Sequence, residues 1–71
     1  MWTVEVPPSD NEFNDGFLAQ FHSREAAVRK ARVWAEEDKG AKFTLLDPHG
    51  VPDGYFVWEY GKVEWHPLPR R

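Results

Sequence analysis

Three histidines, His22, His49 and His66, are the side chains most able to bind a metal or move a proton. No two of them share the four-residue helical spacing that brings a pair of imidazoles onto one ion. Asp47, His49 and Asp53 lie close together in the stretch D-P-H-G-V-P-D, with hard oxygen ligands for a cation, but that spacing is not an EF-hand loop. Turn chemistry accounts for both aspartates without a ligand. Cysteine is absent, which removes thiolate nucleophiles, thiolate metal sites and disulfides together. Ser9 falls in a polar loop and Ser23 at a helix start, neither beside a histidine. No carboxylate pair sits in an apolar setting that would drive two pKa values apart. The five glycines are scattered at turns and form no phosphate loop. The expectation is a protein without catalytic residues, metal or cofactor.

Aromatic residues are the remaining chemistry. Tyr55, Phe56, Trp58, Tyr60 and Trp65 crowd the carboxyl end. Strand alternation puts Phe56, Trp58 and Trp65 on one face and Tyr55 with Val57 on the other. The first set serves either as core or as a stacking surface, of which Trp58, Tyr60 and Trp65 are the candidates. Leu18, Leu46, Tyr55 and Val57 form a second set, interspersed with Thr3, Glu5, Gln20, Thr44 and Glu59. An apolar patch ringed by polar groups is the usual form of a protein-binding surface.

These side chains must be positioned by one helix and a sheet. Ser23 to Gly40 reads as the helix, with Ser23 as N-cap, Glu25 in the first turn and Gly40 as the residue beyond the C-cap. The expected span is Arg24 to Lys39. Ala27, Val28, Ala31, Trp34 and Ala35 share one face. Glu25, Arg29, Arg32 and Glu36 share the opposite one at spacings that allow ion pairs. The arginines in the first half and Glu36, Glu37 and Asp38 in the last turns oppose the helix dipole. Three alanines make the buried face shallow, so bulk must come from the sheet.

Met1–Val6 and Phe17–His22 alternate as strands around a polar loop, with Phe13 folding back as a lid. Lys42–Asp47 is the third strand. Asp47-Pro48-His49-Gly50 matches a type I turn, and Val51–Gly54 suggests a second turn before the fourth strand, Tyr55–Tyr60. Lys62–His66 is the fifth. A two-residue loop at Tyr60-Gly61 sets Glu59 opposite Lys62 as an ion pair, Trp58 opposite Val63 and Phe56 opposite Trp65. Tyr60 is a poor residue for that turn, so a longer loop or a bulged continuous strand stays open. Residues 67–71 are expected to fray. The fold class is α+β: one helix on one face of a four- to five-stranded antiparallel sheet, chain order ββαβββ, spatial order 2-1-3-4-5.

The helix and turn residues Ala31, Arg32, Ala35, Asp47 and Gly50 carry a resemblance. They match the "Ala-Arg-x-x-Ala" helix core and "Asp-x-x-Gly" turn of a group of short bacterial strand-strand-helix-strand-strand domains of unknown function. The chain resembles that group over about half its length; the acidic first loop and the Trp-rich carboxyl end depart from it. The resemblance implies the fold and no activity.

With 71 residues the chain is expected to form a single domain, small enough to need a dense aromatic core or a partner. Aromatic content of 15% suits the first, and a net charge of −3 argues against general nucleic-acid binding. No membrane-spanning run or signal segment is read, and the lack of cysteine fits the cytoplasm. The expected function is a non-catalytic protein-interaction module. It would be an accessory or inhibitory factor, of which phage-encoded ones are examples, binding another protein or itself as a homodimer through the open sheet face. The alternative is single-stranded nucleic-acid binding through the sheet aromatics.

Overall fold

The computed structural model describes residues 1–8 and 15–69. The expected lid residue Phe13 and the end of the tail lie outside the described residues. The elements are β1 (Trp2–Val6), β2 (Phe17–Phe21), α1 (Arg24–Glu37), β3 (Phe43–Leu46), β4 (Pro52–Glu59) and β5 (Lys62–Pro67). The five strands form one antiparallel sheet in the order β2-β1-β3-β4-β5, with α1 across one face. The fold class and spatial order are those the alternation of the strands implies.

The contact between helix and sheet follows from the alanine face. Ala27, Ala31 and Ala35 are fully buried, and the sheet supplies Val4, Phe43, Leu45 and Phe56 beneath them. Burial of such side chains contributes about 1.5–3 kcal/mol each. Trp34 was expected to be buried and is half-buried instead. It stands at the flank of the helix with its ring edge-on to Phe17 (5.9 Å) and Phe21 (6.3 Å). The Ser23 hydroxyl caps the amino end, accepting the Ala26 N–H at 3.2 Å. The helix stops at Glu37, short of the expected Lys39, and Asp38 is the C-cap. Gly40 is therefore not the residue after the cap. It takes the third place of the turn Asp38–Ala41 with φ 98°, and the Ala41 N–H closes that turn on the Asp38 carbonyl at 3.2 Å. The early stop has an electrostatic reason: the last turn holds no basic residue, and Glu36, Glu37 and Asp38 crowd the negative end of the dipole.

The Asp47–Gly50 turn forms as expected, the Gly50 N–H donating to the Asp47 carbonyl at 2.9 Å. The buried Asp47 carboxylate accepts the N–H groups of His49 and Val51, both at 2.9 Å. The second turn expected at Val51–Gly54 is absent. β4 starts at Pro52 instead of Tyr55, because the β3–β4 register shifts between Leu45 and Leu46 and takes up Asp53 as an extra residue. Of the residues expected to fray, Pro67 and Leu68 join the fold. β5 runs to Pro67, and the Leu68 N–H donates to the Asp53 carbonyl at 3.1 Å.

The β4–β5 loop is the two-residue turn. Tyr60 and Gly61 have φ 54° and 80°, positive at both central positions as type I′ requires. The register pairs Glu59 with Lys62, Trp58 with Val63 and Phe56 with Trp65. The expected ion pair Glu59–Lys62 does not form. Lys62 turns to Glu64 at 3.6 Å, and Glu59 reaches along the sheet to His66 at 2.5 Å.

Candidate functional site

The outer face of the sheet, opposite α1, carries Leu18, Leu46, Tyr55 and Val57, and the structure divides them. Leu18 on β2 is 61% exposed, Leu46 and Tyr55 are half-buried, and Val57 is only 6% exposed. Val57 is the correction here: it belongs to the floor of the face, not to an open patch. The register explains why. Val57 pairs with Glu64, flanked by the pairs Tyr55–His66 and Glu59–Lys62. The Glu59–His66 contact joins one flank to the other. His66 also stacks on Tyr55 at 5.0 Å, and the Lys42 ammonium stands 5.0 Å from the Tyr55 ring. Leu18 is set apart from the others, since β1 intervenes with Thr3 and Glu5 on this face. What remains is a ridge of Leu46 and Tyr55, with Leu18 isolated at the β2 edge.

The aromatic candidates separate in the same way. Trp65 lies on Phe56 with ring centroids 4.7 Å apart, and the Arg24 guanidinium stands 5.7 Å from it and 5.8 Å from Trp2. Arg24 in turn binds Asp53, with Nη2 at 3.2 Å, pinning the start of the helix to the β4 bulge. Trp65 is thus committed to packing and is not a stacking platform. Trp58 lies on the helix side and floors a groove of about 480 Å³ between α1 and the β4–β5 hairpin. Arg29, Arg32, Val33 and Lys62 stand around it, and the Lys39 ammonium sits 4.6 Å from the Trp58 ring. Tyr60, at the hairpin tip, is 90% exposed.

Sequence reasoning missed the arginines of this groove, because Arg29 and Arg32 were expected to pair with Glu25 and Glu36. Among the described residues no carboxylate lies within ion-pair distance of either arginine. The available signal was the helical spacing of Arg29, Arg32, Val33 and Glu36 beside the alanine face, which sets them over the strand that carries Trp58.

The remaining chemistry does not converge. His22 follows β2 and His49 lies in the β3–β4 turn, both exposed, and His66 is on the outer sheet face. Asp47 holds its turn and Asp53 holds Arg24, so the D-P-H-G-V-P-D stretch is built into the fold. Among the described residues no group of three His, Asp or Glu side chains is placed to hold a metal, and no helix is long and apolar enough to cross a membrane. No family model, curated protein or solved structure matches the chain.

Proposed function

We propose that this is a non-catalytic interaction module that docks another protein on the outer face of its sheet, centred on Leu46 and Tyr55. The observation that carries the reading is the one-sided architecture. The single helix covers one face, and among the described residues no element forms a second layer over the other. That face keeps half-buried apolar groups rimmed by Thr3, Glu5, Thr44 and Lys42. An apolar centre with a polar rim is the anatomy of a binding patch, and large aromatic or aliphatic anchors near its middle carry most of the affinity. The test is Leu46→Glu. The side chain points away from the helix, so the variant should melt cooperatively close to the parent. Its affinity for a partner captured from the source cells should fall at least tenfold by calorimetry. Unchanged affinity for every captured partner removes this face.

A second reading is favoured by the groove on the other side. Tyr60 holds a bulky side chain at φ 54°, a backbone region that Asn and Gly occupy far more readily. The groove next to this hairpin tip is lined by Trp58, Arg29, Arg32 and Lys62 together with Glu36, and among the described residues no carboxylate lies within ion-pair distance of either arginine. Aromatic rings next to cations are what a single-stranded nucleic acid needs for stacking and phosphate neutralisation. Tyr60→Asn separates structure from function here. It should stabilise the domain by about 0.5–1 kcal/mol, since Asn relieves the turn. If the groove binds single strands, the same change weakens binding of oligonucleotides titrated at two salt concentrations. A parent that binds no oligonucleotide at low salt ends this reading.

A further inference from the structure

The two edges of the sheet are chemically unlike. β5 presents Lys62, Glu64, His66 and Pro67, and charge and proline are the usual means of discouraging another strand. β2 reads Phe17-Leu18-Ala19-Gln20-Phe21, with no charge and no proline. Among the described residues no strand lies beyond it. Phe17 is 51% exposed and Leu18 61%. Alternate backbone N–H and C=O groups of such a strand point outward, and a ladder is what satisfies them.

We propose that β2 pairs antiparallel with β2 of a second copy of this chain, about a two-fold axis at Ala19, joining two five-stranded sheets into one of ten. The choice of a second copy rests on the pattern itself. The segment F-L-A-Q-F is nearly palindromic. A register centred on Ala19 therefore sets Phe17 opposite Phe21 of the second copy, Leu18 opposite Gln20, and Ala19 opposite Ala19. An isologous contact needs this self-complementarity, and a foreign strand does not. The absence of charge means that pairing like with like brings no repulsion. The charge just outside the strand is complementary. The same register carries the exposed Asp15 to Ser23 of the second copy, the N-cap of α1, where the positive end of the helix favours a carboxylate. On the helix side, Phe17 and Phe21 already pack on Trp34, and the pairing extends that aromatic cluster across the axis. On the outer side the two Leu18 residues come together diagonally and cease to be isolated.

This inference goes beyond the outer-face reading, because it uses the edge and not the face. Sedimentation equilibrium of the full chain over a concentration series tests it. The expected mass rises from 8.3 kDa to twice that value. The double substitution Leu18→Lys with Gln20→Lys places four lysines at the seam on exposed positions. It should raise the dimer dissociation constant at least tenfold while cooperative melting persists. The register is read by cysteine pairing, since the natural chain has none. Leu18→Cys mixed with Gln20→Cys should cross-link under mild oxidation. Neither should cross-link alone, because diagonal neighbours stand about 7–8 Å apart, beyond the ~6.8 Å reach of a disulfide. The proposal is overturned by a parent that stays at monomer mass throughout, by a dimer that survives the lysine substitutions, or by self-cross-linking equal to that of the mixture. A dimer abolished by Leu46→Glu also overturns it, by assigning the association to the outer face.

Discussion

Ala31→Glu is expected to leave the chain unfolded at neutral pH. Ala31 is fully buried at the centre of the helix face, between Ala27 and Ala35 and above Phe43 and Leu45 of the sheet. A glutamate there has no room to reach solvent and no cation to meet. Leaving a buried charge uncompensated costs several kcal/mol, about 3–5 in measured cases. At ~0.05–0.15 kcal/mol per residue, a domain of this length holds only about 4–10 kcal/mol in total. The sign of the pH dependence follows from the same burial. Desolvation raises the carboxyl pKa of the variant in the folded state, so the proton is held more tightly when folded. The deficit relative to the parent should therefore be smallest below the unfolded-state value of about 4.3 and largest above the raised folded value. Far-UV circular dichroism of parent and variant at matched pH checks both points. Ala31→Ser is the mild comparison, since its hydroxyl can return a hydrogen bond to the Ala27 carbonyl. A variant that melts cooperatively near the parent temperature at pH 7 would show that the helix does not lie this close to the sheet.

That close approach was legible in the chain, and the reason is local. Ala27, Ala31 and Ala35 recur at four-residue spacing, which admits one reading only: a shallow face against a bulky surface. The strand order was legible too, because Trp2, Val4, Phe43, Leu45 and Phe56 alternate so cleanly that a one-residue slip would expose them all. The failures cluster where two signals of similar strength compete. Val51-Pro52-Asp53-Gly54 has the composition of a turn, yet Pro52 can begin a strand when a bulge absorbs Asp53 and Arg24 holds the Asp53 carboxylate. Pairing of Arg29 and Arg32 with glutamates one turn away was an assumption of spacing, and spacing is worth only about 0.2–0.5 kcal/mol per pair. Val57 was placed on the right face but given the wrong exposure. Glu59 and His66, seven positions apart in the chain, meet on that face, and alternation carries no information about how long side chains bend over a sheet. The edge position of β2 follows from the order 2-1-3-4-5, which the sequence reading and the structure share.

Gly54→Val should also cost the domain a large share of its stability, for a different reason from Ala31→Glu. Gly54 is buried in β4 at the start of the bulge, and its backbone takes no left-handed conformation that would by itself demand glycine. The constraint is space. A Cβ at this position would stand 2.5 Å from Cζ2 of Trp65 and 2.7 Å from the His66 carbonyl oxygen. Trp65 reaches this place because it sits two pairs along the ladder from the Gly54–Pro67 pair, on the same face, and leans over it. The indole held there packs on Phe56 and supports Arg24, which ties α1 to Asp53. A side chain at 54 thus pushes the indole out and loosens the helix start as well. Overpacking alone costs about 1–3 kcal/mol, and each kcal/mol lowers the midpoint by roughly 4–8 °C in a domain of this size. The two obstacles can be told apart. Trp65→Leu removes the ring and leaves the His66 carbonyl in place. Gly54→Ala should then cost less in the Trp65→Leu background than in the parent, and the difference measures the clash with the indole. Costs that simply add across the two positions would show that Trp65 does not lie over Gly54, and the bulge would need another reason for its glycine.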